Sequence, residues 1–113
     1  YQPILNHALD FIKENFTDPD MSLTWVAQQV ALSPSHFSTI FSQSFNQTFI
    51  DYLTEQRIEL AKKLLQQSDY RISDIAFEIG YNDPNYFSYL FKKKQGISPK
   101  EYRTQLFLKN KNN

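Results

Sequence analysis

The sequence predicts an all-α fold of seven helices, with two helix-turn-helix subdomains joined by a long linker helix. Apolar residues recur at the i, i+3, i+4 and i+7 spacing of amphipathic helices along most of the chain. Pro, Ser, Asn and Gly stand where such helices begin and end. The pattern also repeats, at an offset of 49 residues before the internal turn and 50 after it. We therefore expect subdomains at residues 1–47 and 68–113, with the linker helix at 48–67.

The first subdomain is expected to contain three helices. The first ends near Asp18, because a residue that precedes proline avoids the helical conformation. Either Ser22 or Thr24 can cap the second helix, and Ser33 caps the third, with Pro34 at its first position. The apolar faces of these helices predict the core of the subdomain, namely Ile4, Leu5, Ala8, Leu9, Phe11, Ile12, Phe16, Leu23, Val26, Ala27, Val30, Phe37, Ile40, Phe41 and Phe45.

The linker helix carries one continuous apolar stripe, made of Phe49, Ile50, Leu53, Leu60, Ala61, Leu64 and Leu65. Residues 48–67 would span roughly 30 Å at the helical rise of about 1.5 Å per residue. Arg57 lies within this helix, and we expect it to make a structural link there.

The second subdomain repeats the arrangement of the first. A short helix has the apolar stripe Ile72, Ile75, Ala76 and Ile79. Gly80 ends it, because a left-handed cap costs glycine little. We expect Asn82 to cap the next helix, with Asp83 and Pro84 in its first turn, and Gly96 to end that helix. Two short helices joined by such a turn are typical of a helix-turn-helix, whose second helix enters the major groove of DNA.

A final helix is expected over residues 99–108, followed by a frayed tail at residues 109–113. Arg103 lies in this helix. We expect it to pair with a core carboxylate, Asp74 or Glu78, and favour that structural role over contact with DNA.

The composition excludes several classes of protein. Hydrophobic residues make up 41% of the 113 residues and aromatic residues 16%, which is too apolar for a disordered chain. The absence of cysteine excludes disulfides and thiolate metal sites, and two isolated histidines cannot form a structural zinc site. We expect no cofactor, no metal and no membrane span, and a cytoplasmic location. Because the chain begins with Tyr1, we expect it to be a fragment that lacks a further domain.

The charge is polarised along the chain, although the net charge is zero. Residues 1–53 contain one basic and five acidic residues, a net charge of −4, whereas residues 54–113 have a net charge of +4. The basic half contains the clearer motif, with Lys92, Lys93 and Lys94 on its second helix. A polarised molecule can bind phosphate with one end despite a neutral sum.

A family resemblance appears at the second motif, in Ile75, Ala76, Gly80, Tyr81, Tyr86, Phe87, Phe91, Lys92, Gly96, Ser98, Pro99, Tyr102 and Arg103. These residues resemble the C-terminal motif of AraC/XylS-type transcription regulators, and the resemblance covers residues 4–107. It implies sequence-specific binding of double-stranded DNA in bacteria, with the two recognition helices in successive major grooves. The linker length is close to one turn of B-DNA, roughly 34–36 Å. The resemblance also implies recruitment of RNA polymerase.

The outward faces of the third and sixth helices supply the candidate contacts. Bases are expected to be read by Ser35, Ser38, Thr39, Asn85, Tyr86 and Tyr89. Phosphates are expected to be bound by Ser33, His36, Ser42, Gln43, Lys92, Lys93 and Ser98. Asn85 can pair bidentately with adenine, and hydroxyls or ring edges can meet thymine methyls. The alternative is an ordinary solvated surface, with Ser98 acting only as a helix cap.

The third helix departs from the family, because Phe41 precedes Ser42 and Gln43 where basic residues are common. We therefore expect the first motif to bind DNA weakly and the second to lead. The acidic first half leaves an alternative function open, a protein-interaction module with weak or lost DNA binding. An enzyme is not expected, since no nucleophile–base pair, carboxylate dyad or phosphate-binding glycine loop is visible. The missing domain would be phosphate-receiving or small-molecule-binding, with the resemblance favouring the former. Alone, the fragment is expected to be monomeric.

Overall fold

The computed structural model describes residues 1–112, and this part of the chain forms seven α-helices and no strand. In chain order the helices are α1 (Gln2–Asn15), α2 (Leu23–Gln29), α3 (Pro34–Phe45), α4 (Phe49–Gln67), α5 (Ile72–Glu78), α6 (Pro84–Gln95) and α7 (Pro99–Asn112). The predicted all-α class is confirmed.

The chain divides into two compact units, Tyr1–Arg57 and Ile58–Asn113. Helix α4 is one continuous helix whose first part belongs to the first unit and whose second part belongs to the second. The core of the first unit contains Ala8, Ile12, Met21, Val26, Ala27, Phe37, Phe41, Phe49 and Leu53. The core of the second contains Ile58, Ala61, Leu65, Ile75, Ala76, Ile79, Tyr81, Phe87 and Phe91.

Aromatic side chains hold α3 in the first unit. The Phe41 ring is fully buried, and its centroid lies 4.7 Å from that of Phe45 and 6.1 Å from that of Phe49. The Tyr52 ring contacts Phe41 at 5.6 Å. Burial raises the pKa of the Tyr52 hydroxyl, and the nearby Glu55 carboxylate adds to the rise. Each large side chain buried in this way stabilises the unit by about 1.5–3 kcal/mol.

Each helix of the two helix-turn-helix motifs is followed by a residue with left-handed backbone. Ala31 (φ 56°) follows α2, and Gly80 (φ 111°) follows α5. Asn46 (φ 54°) ends α3, and Gly96 (φ 84°) ends α6 where the sequence predicts a helix end. These residues let the chain turn sharply while their backbone N–H groups still donate to the preceding helix.

The N-caps agree with the predictions except at α6. The Ser22 hydroxyl accepts a hydrogen bond from the Trp25 backbone N–H, which decides between the two caps predicted for α2. At α6 the predicted cap, Asn82, is wrong. Asp83 is the N-cap, and its Oδ1 accepts from the Asn85 backbone N–H at 2.9 Å. Because Pro84 occupies the first helical position, the residue directly before it takes the extended conformation that a cap needs.

Two arginines cap the ends of helices, and neither makes the contacts predicted for it. Arg57 Nε donates to the Phe16 carbonyl at 2.7 Å, and Nη2 donates to the Asp18 carbonyl at 2.8 Å. Arg57 therefore joins α4 to the end of α1, where the prediction placed its link within the linker helix.

Arg103 in α7 plays the same part in the second unit. It donates to the carbonyls of Leu65, Ser68 and Tyr70, at 3.1, 3.2 and 2.6 Å. The expected carboxylate partner is thus wrong, although the structural role is correct. A guanidinium satisfies carbonyls that a helix end leaves without intrahelical partners, which explains the choice.

Helix α7 is longer than predicted, because it continues to Asn112 where a frayed tail was expected. The last residue of that predicted tail, Asn113, lies outside the described residues. Within residues 1–112, none of the helices combines the length and the hydropathy needed to cross a bilayer.

Candidate nucleic-acid interface

Helix α6 presents a polar and aromatic face because its opposite face is anchored in the core. Phe87 and Phe91, one turn apart, are fully buried. Asn85, Tyr86 and Tyr89 are exposed on the N-terminal half of the helix. The three predicted base-reading residues of α6 are therefore accessible, on the half of a recognition helix from which bases are usually read.

The two tyrosines of this face form an ordered pair. Tyr86 is 51% exposed and Tyr89 60%, and their ring centroids lie 6.5 Å apart with planes inclined by only 23°. The buried ring of Tyr81 meets Tyr86 edge-on at 5.9 Å and stacks on Phe87 at 6.1 Å. Lys93 Nζ lies 6.0 Å from the centre of the Tyr89 ring. The Tyr86 ring is thus in contact with the core through Tyr81, while the Tyr89 ring contacts only exposed side chains in this set.

The C-terminal half of α6 is strongly basic. Lys92, Lys93 and Lys94 are all exposed, and they also lie in the last turn, where cations stabilise the helix dipole. Lys92 and Lys93, two of the predicted phosphate contacts, are thus exposed to solvent. Ser98 is half-buried, and its Oγ accepts from the Glu101 backbone N–H at 3.1 Å. It caps α7, while its own hydroxyl hydrogen can still be donated to an anion.

The predicted base-reading residues of α3 are less uniformly exposed than those of α6. Ser35 and Thr39 are exposed, but Ser38 is half-buried. Thr39 Oγ1 donates to the Ser35 carbonyl at 3.1 Å, so its hydroxyl hydrogen is used within the helix. What Thr39 can offer a base is therefore an acceptor lone pair and a methyl group. The sequence did not predict this hydrogen bond.

The predicted phosphate contacts of the first unit are mostly accessible. Ser33 Oγ caps α3 by accepting from the His36 backbone N–H at 3.2 Å. The exposed His36 ring meets the Tyr1 ring edge-on at 5.9 Å. Gln43 is exposed and Ser42 half-buried. Helix α3 contains no Lys, Arg, Asp or Glu among its twelve residues, in contrast to the three lysines of α6.

Tyr81 supports the interface, and the sequence reasoning gave it no role there. In the sequence it stands out as part of the family motif, directly after Gly80, and its buried position depends on the turn between α5 and α6. Asp83, predicted in the first turn of α6, is its N-cap. Its position directly before Pro84 is the feature of the sequence that indicates a cap.

Comparison with known proteins gives the same helix-turn-helix assignment as the structure. The sequence model of a family described as a helix-turn-helix domain matches residues 26–105. The chain is 34% identical over 103 residues to the transcriptional regulatory protein YesN of Bacillus subtilis, covering 88% of this chain and 28% of that protein. It is 35% identical over 99 residues to the arabinose operon regulatory protein of Escherichia coli, covering 88% and 34%. The chain thus spans about a third or less of the length of these relatives.

Solved structures give the same family. The C-terminal domain of the response regulator yesN from Fusobacterium nucleatum superimposes with a TM-score of 0.84 at 36% identity, covering 85% of this chain and 93% of that one. The C-terminal domain of AraT, a response regulator from Geobacillus stearothermophilus, gives a TM-score of 0.88 at 37% identity, covering 91% and 85%. The chain therefore belongs to the AraC-type family of helix-turn-helix DNA-binding domains.

Proposed function

We propose that the chain binds double-stranded DNA sequence-specifically, as the DNA-binding part of a bacterial transcription regulator. The observation that carries the proposal is the exposed face of α6. It joins a base-reading set (Asn85, Tyr86 and Tyr89) to a phosphate-binding set (Lys92 and Lys93) on one helix of a helix-turn-helix. Phosphate contacts set the position of a protein on DNA, and base contacts set its sequence preference.

The contacts proposed for α6 differ in what they recognise. The exposed amide of Asn85 pairs with the N6 and N7 edge of an adenine, and the lysines bind the backbone. Ser98 adds a hydroxyl at the start of α7. We propose that the second unit supplies most of the affinity, because it holds the three lysines of the interface. The first unit adds weaker contacts from Ser33, Ser35, His36, Ser38, Thr39, Ser42 and Gln43.

We further propose that α3 and α6 enter successive major grooves. The support is the length of α4, whose 19 residues correspond to about 28 Å at the helical rise of ~1.5 Å per residue. A turn of B-DNA measures roughly 34–36 Å. The role is one of binding and not catalysis, in line with the relatives, which are transcriptional regulators.

The partners beyond DNA follow from the same assignment. We propose that the chain acts in the cytoplasm with RNA polymerase and a regulatory domain, and that it is monomeric by itself. The regulatory domain is supported by the relatives, which are about three times the length matched here. A phosphate-receiving domain is favoured by the two similar structures, both C-terminal domains of response regulators.

Selection of duplexes from a random pool, followed by binding measurements at several salt concentrations, tests the proposal. We expect one preferred sequence and a steep loss of affinity with salt. Asn85→Ala should cost about 1–3 kcal/mol and relax the preference at one base pair. Lys93→Ala is the matched variant, and it should weaken all duplexes alike. Ser38→Ala should have a smaller effect than Asn85→Ala, because Ser38 is half-buried.

The second candidate function is a protein-interaction module with weak or lost DNA binding. It is favoured by the uncharged α3 and by the net charge of −4 over residues 1–53. A shallow salt dependence with no preferred sequence in the selection would support this alternative and contradict the first proposal.

A further inference from the structure

Tyr86 and Tyr89 are the largest aromatic side chains among the proposed contacts of α3 and α6. The hydroxyls and amides of α3 and α6 and the lysines of α6 can all be satisfied by hydrogen bonds or charge. Tyr86 and Tyr89 instead expose two large aromatic rings, side by side and nearly parallel. Removing the apolar surface of these rings from water is favourable, and this requires apolar surface on the partner.

The rings also contact each other and the core in the free protein. Tyr81 meets Tyr86 edge-on from the core side, and the centroids of Tyr86 and Tyr89 lie 6.5 Å apart. Tyrosine loses little conformational entropy on binding because only two torsions are fixed. Restriction of those torsions in the free protein lowers the cost further. These contacts therefore favour the arrangement in which the two rings present one continuous apolar surface.

The major groove offers one apolar group to such a surface. Bases in a duplex are stacked, so a side chain in the groove meets only their edges. Those edges present hydrogen-bond donors and acceptors, with the exception of the C5-methyl group of thymine. The same methyl group stands at the same position on 5-methylcytosine.

We propose that Tyr86 and Tyr89 together recognise the C5-methyl group of a pyrimidine, in the half-site read by α6. This inference rests on the proposed function, since it takes α6 to lie in the major groove. It makes the binding site sensitive to the loss of a single methyl group. It also makes the site sensitive to methylation of a cytosine at that position.

Changes of a single methyl group in the DNA test the proposal. In the preferred duplex from the selection, each thymine is replaced in turn by deoxyuridine, which removes only the methyl group. We expect one or two positions at which the dissociation constant rises about fourfold, equivalent to the ~0.8 kcal/mol of one buried methyl. With cytosine at such a position, 5-methylation should strengthen binding by a similar factor. If affinity responds both to replacement of thymine by uracil and to 5-methylation of cytosine, the rings recognise the methyl group on either base. If affinity responds only to the replacement by uracil, the rings recognise thymine alone.

Matched variants separate the rings from their hydroxyls. In Tyr86→Ala/Tyr89→Ala, the duplexes with thymine and with uracil should bind equally, whereas Tyr86→Phe/Tyr89→Phe should keep the discrimination. Both tyrosines are exposed, so both double variants should fold, which circular dichroism can verify.

Two outcomes overturn the inference. One is a sequence-selective protein with no response to any uracil substitution, which leaves the proposed DNA binding intact. The other is a thymine-to-uracil ratio that persists in the alanine pair, which assigns methyl recognition to other residues. Absence of binding to every duplex would instead contradict the proposed function itself.

Discussion

The turns that follow α2 and α5 meet the same geometric requirement with different residues. After α2, the backbone N–H groups of Ala31 and Leu32 donate to the carbonyls of Gln28 and Ala27. After α5, the N–H groups of Gly80 and Tyr81 donate to the carbonyls of Phe77 and Ala76 in the same pattern. The left-handed residue is alanine in the first unit and glycine in the second. The same contrast recurs where α3 ends on Asn46 and α6 on Gly96.

The recognition helices differ in a parallel way. With α3 and α6 aligned at the repeat offset, His36, Thr39 and Gln43 stand where α6 has Tyr86, Tyr89 and Lys93. The first unit therefore has strained turns and an uncharged recognition helix, while the second has relaxed turns and a basic one. One backbone plan is thus compatible with two quite different surfaces, because the plan depends on buried positions that both units share and on helix ends that different residues can form.

The arginine caps should give the largest effects. Arg57→Ala removes a side chain that is 6% exposed and leaves two carbonyls without their charged donor. We expect a loss of about 3 kcal/mol in the free energy of unfolding, since hydrogen bonds to charged groups contribute ~1.5–3 kcal/mol each. Arg103→Ala should cost less, about 1–2 kcal/mol, because Arg103 is more exposed and its carbonyls can be hydrated.

Urea denaturation measures both effects. The single tryptophan, Trp25, packs edge-on against Phe11, so its fluorescence reports on the first unit, while circular dichroism reports on all helices. The control is Lys100→Ala, an exposed cation on α7, which should change stability by less than about 0.5 kcal/mol. Equal losses from Arg57→Ala and Lys100→Ala would show that the caps are unimportant.

The left-handed residues should give intermediate effects of opposite sign in the two units. Ala31→Gly should stabilise the first unit by about 0.5–1 kcal/mol, because the strain of a side chain at positive φ exceeds the entropic cost of glycine. Gly96→Ala should destabilise the second by about 1 kcal/mol. A Cβ at Gly96 meets nothing within 4 Å, so this cost would come from the backbone alone.

Gly96→Asn is the informative control for this pair, because Asn46 already occupies the equivalent conformation. It should cost less than Gly96→Ala, since asparagine tolerates left-handed backbone better than alanine does. The same urea titrations give these values. Destabilisation by Ala31→Gly would mean that the alanine methyl makes a packing contact that outweighs the strain.

The exchange of charge between the recognition helices should give the smallest effect. Gln43→Lys adds to α3 the charge that Lys93 places on α6, and Lys93→Gln removes it. If both positions face phosphate, the slope of log affinity against log salt should steepen by about 0.9 in the first variant and flatten by the same amount in the second. Fluorescence anisotropy on the selected duplex measures these slopes.

A control for net charge completes this experiment. His7→Lys adds a positive charge at an exposed position on α1, outside both helix-turn-helix motifs. A slope that changes equally in His7→Lys and Gln43→Lys would indicate a general charge effect and not a contact by α3.

Much of the fold could be predicted from the sequence because its signals are local. The spacing of Phe37, Ile40 and Phe41 defines the buried face of α3 without reference to any other helix. Ser33 before Pro34, and glycine at position 96, mark helix ends for reasons of backbone conformation alone. The exposure of Asn85, Tyr86 and Tyr89 follows from the same periodicity.

Only the tertiary structure decided the long-range partners and the finer geometry of the surface. Arg57 and Arg103 bind carbonyls 33 to 41 residues away in sequence, and periodicity carries no information about such contacts. The edge-on contact of Tyr81 with Tyr86 depends on where the turn places Tyr81. Local patterns determine which residues form a helix and which face of it is buried, because those depend on neighbours in sequence. What each side chain then touches depends on packing between helices, which the chain acquires only when it folds.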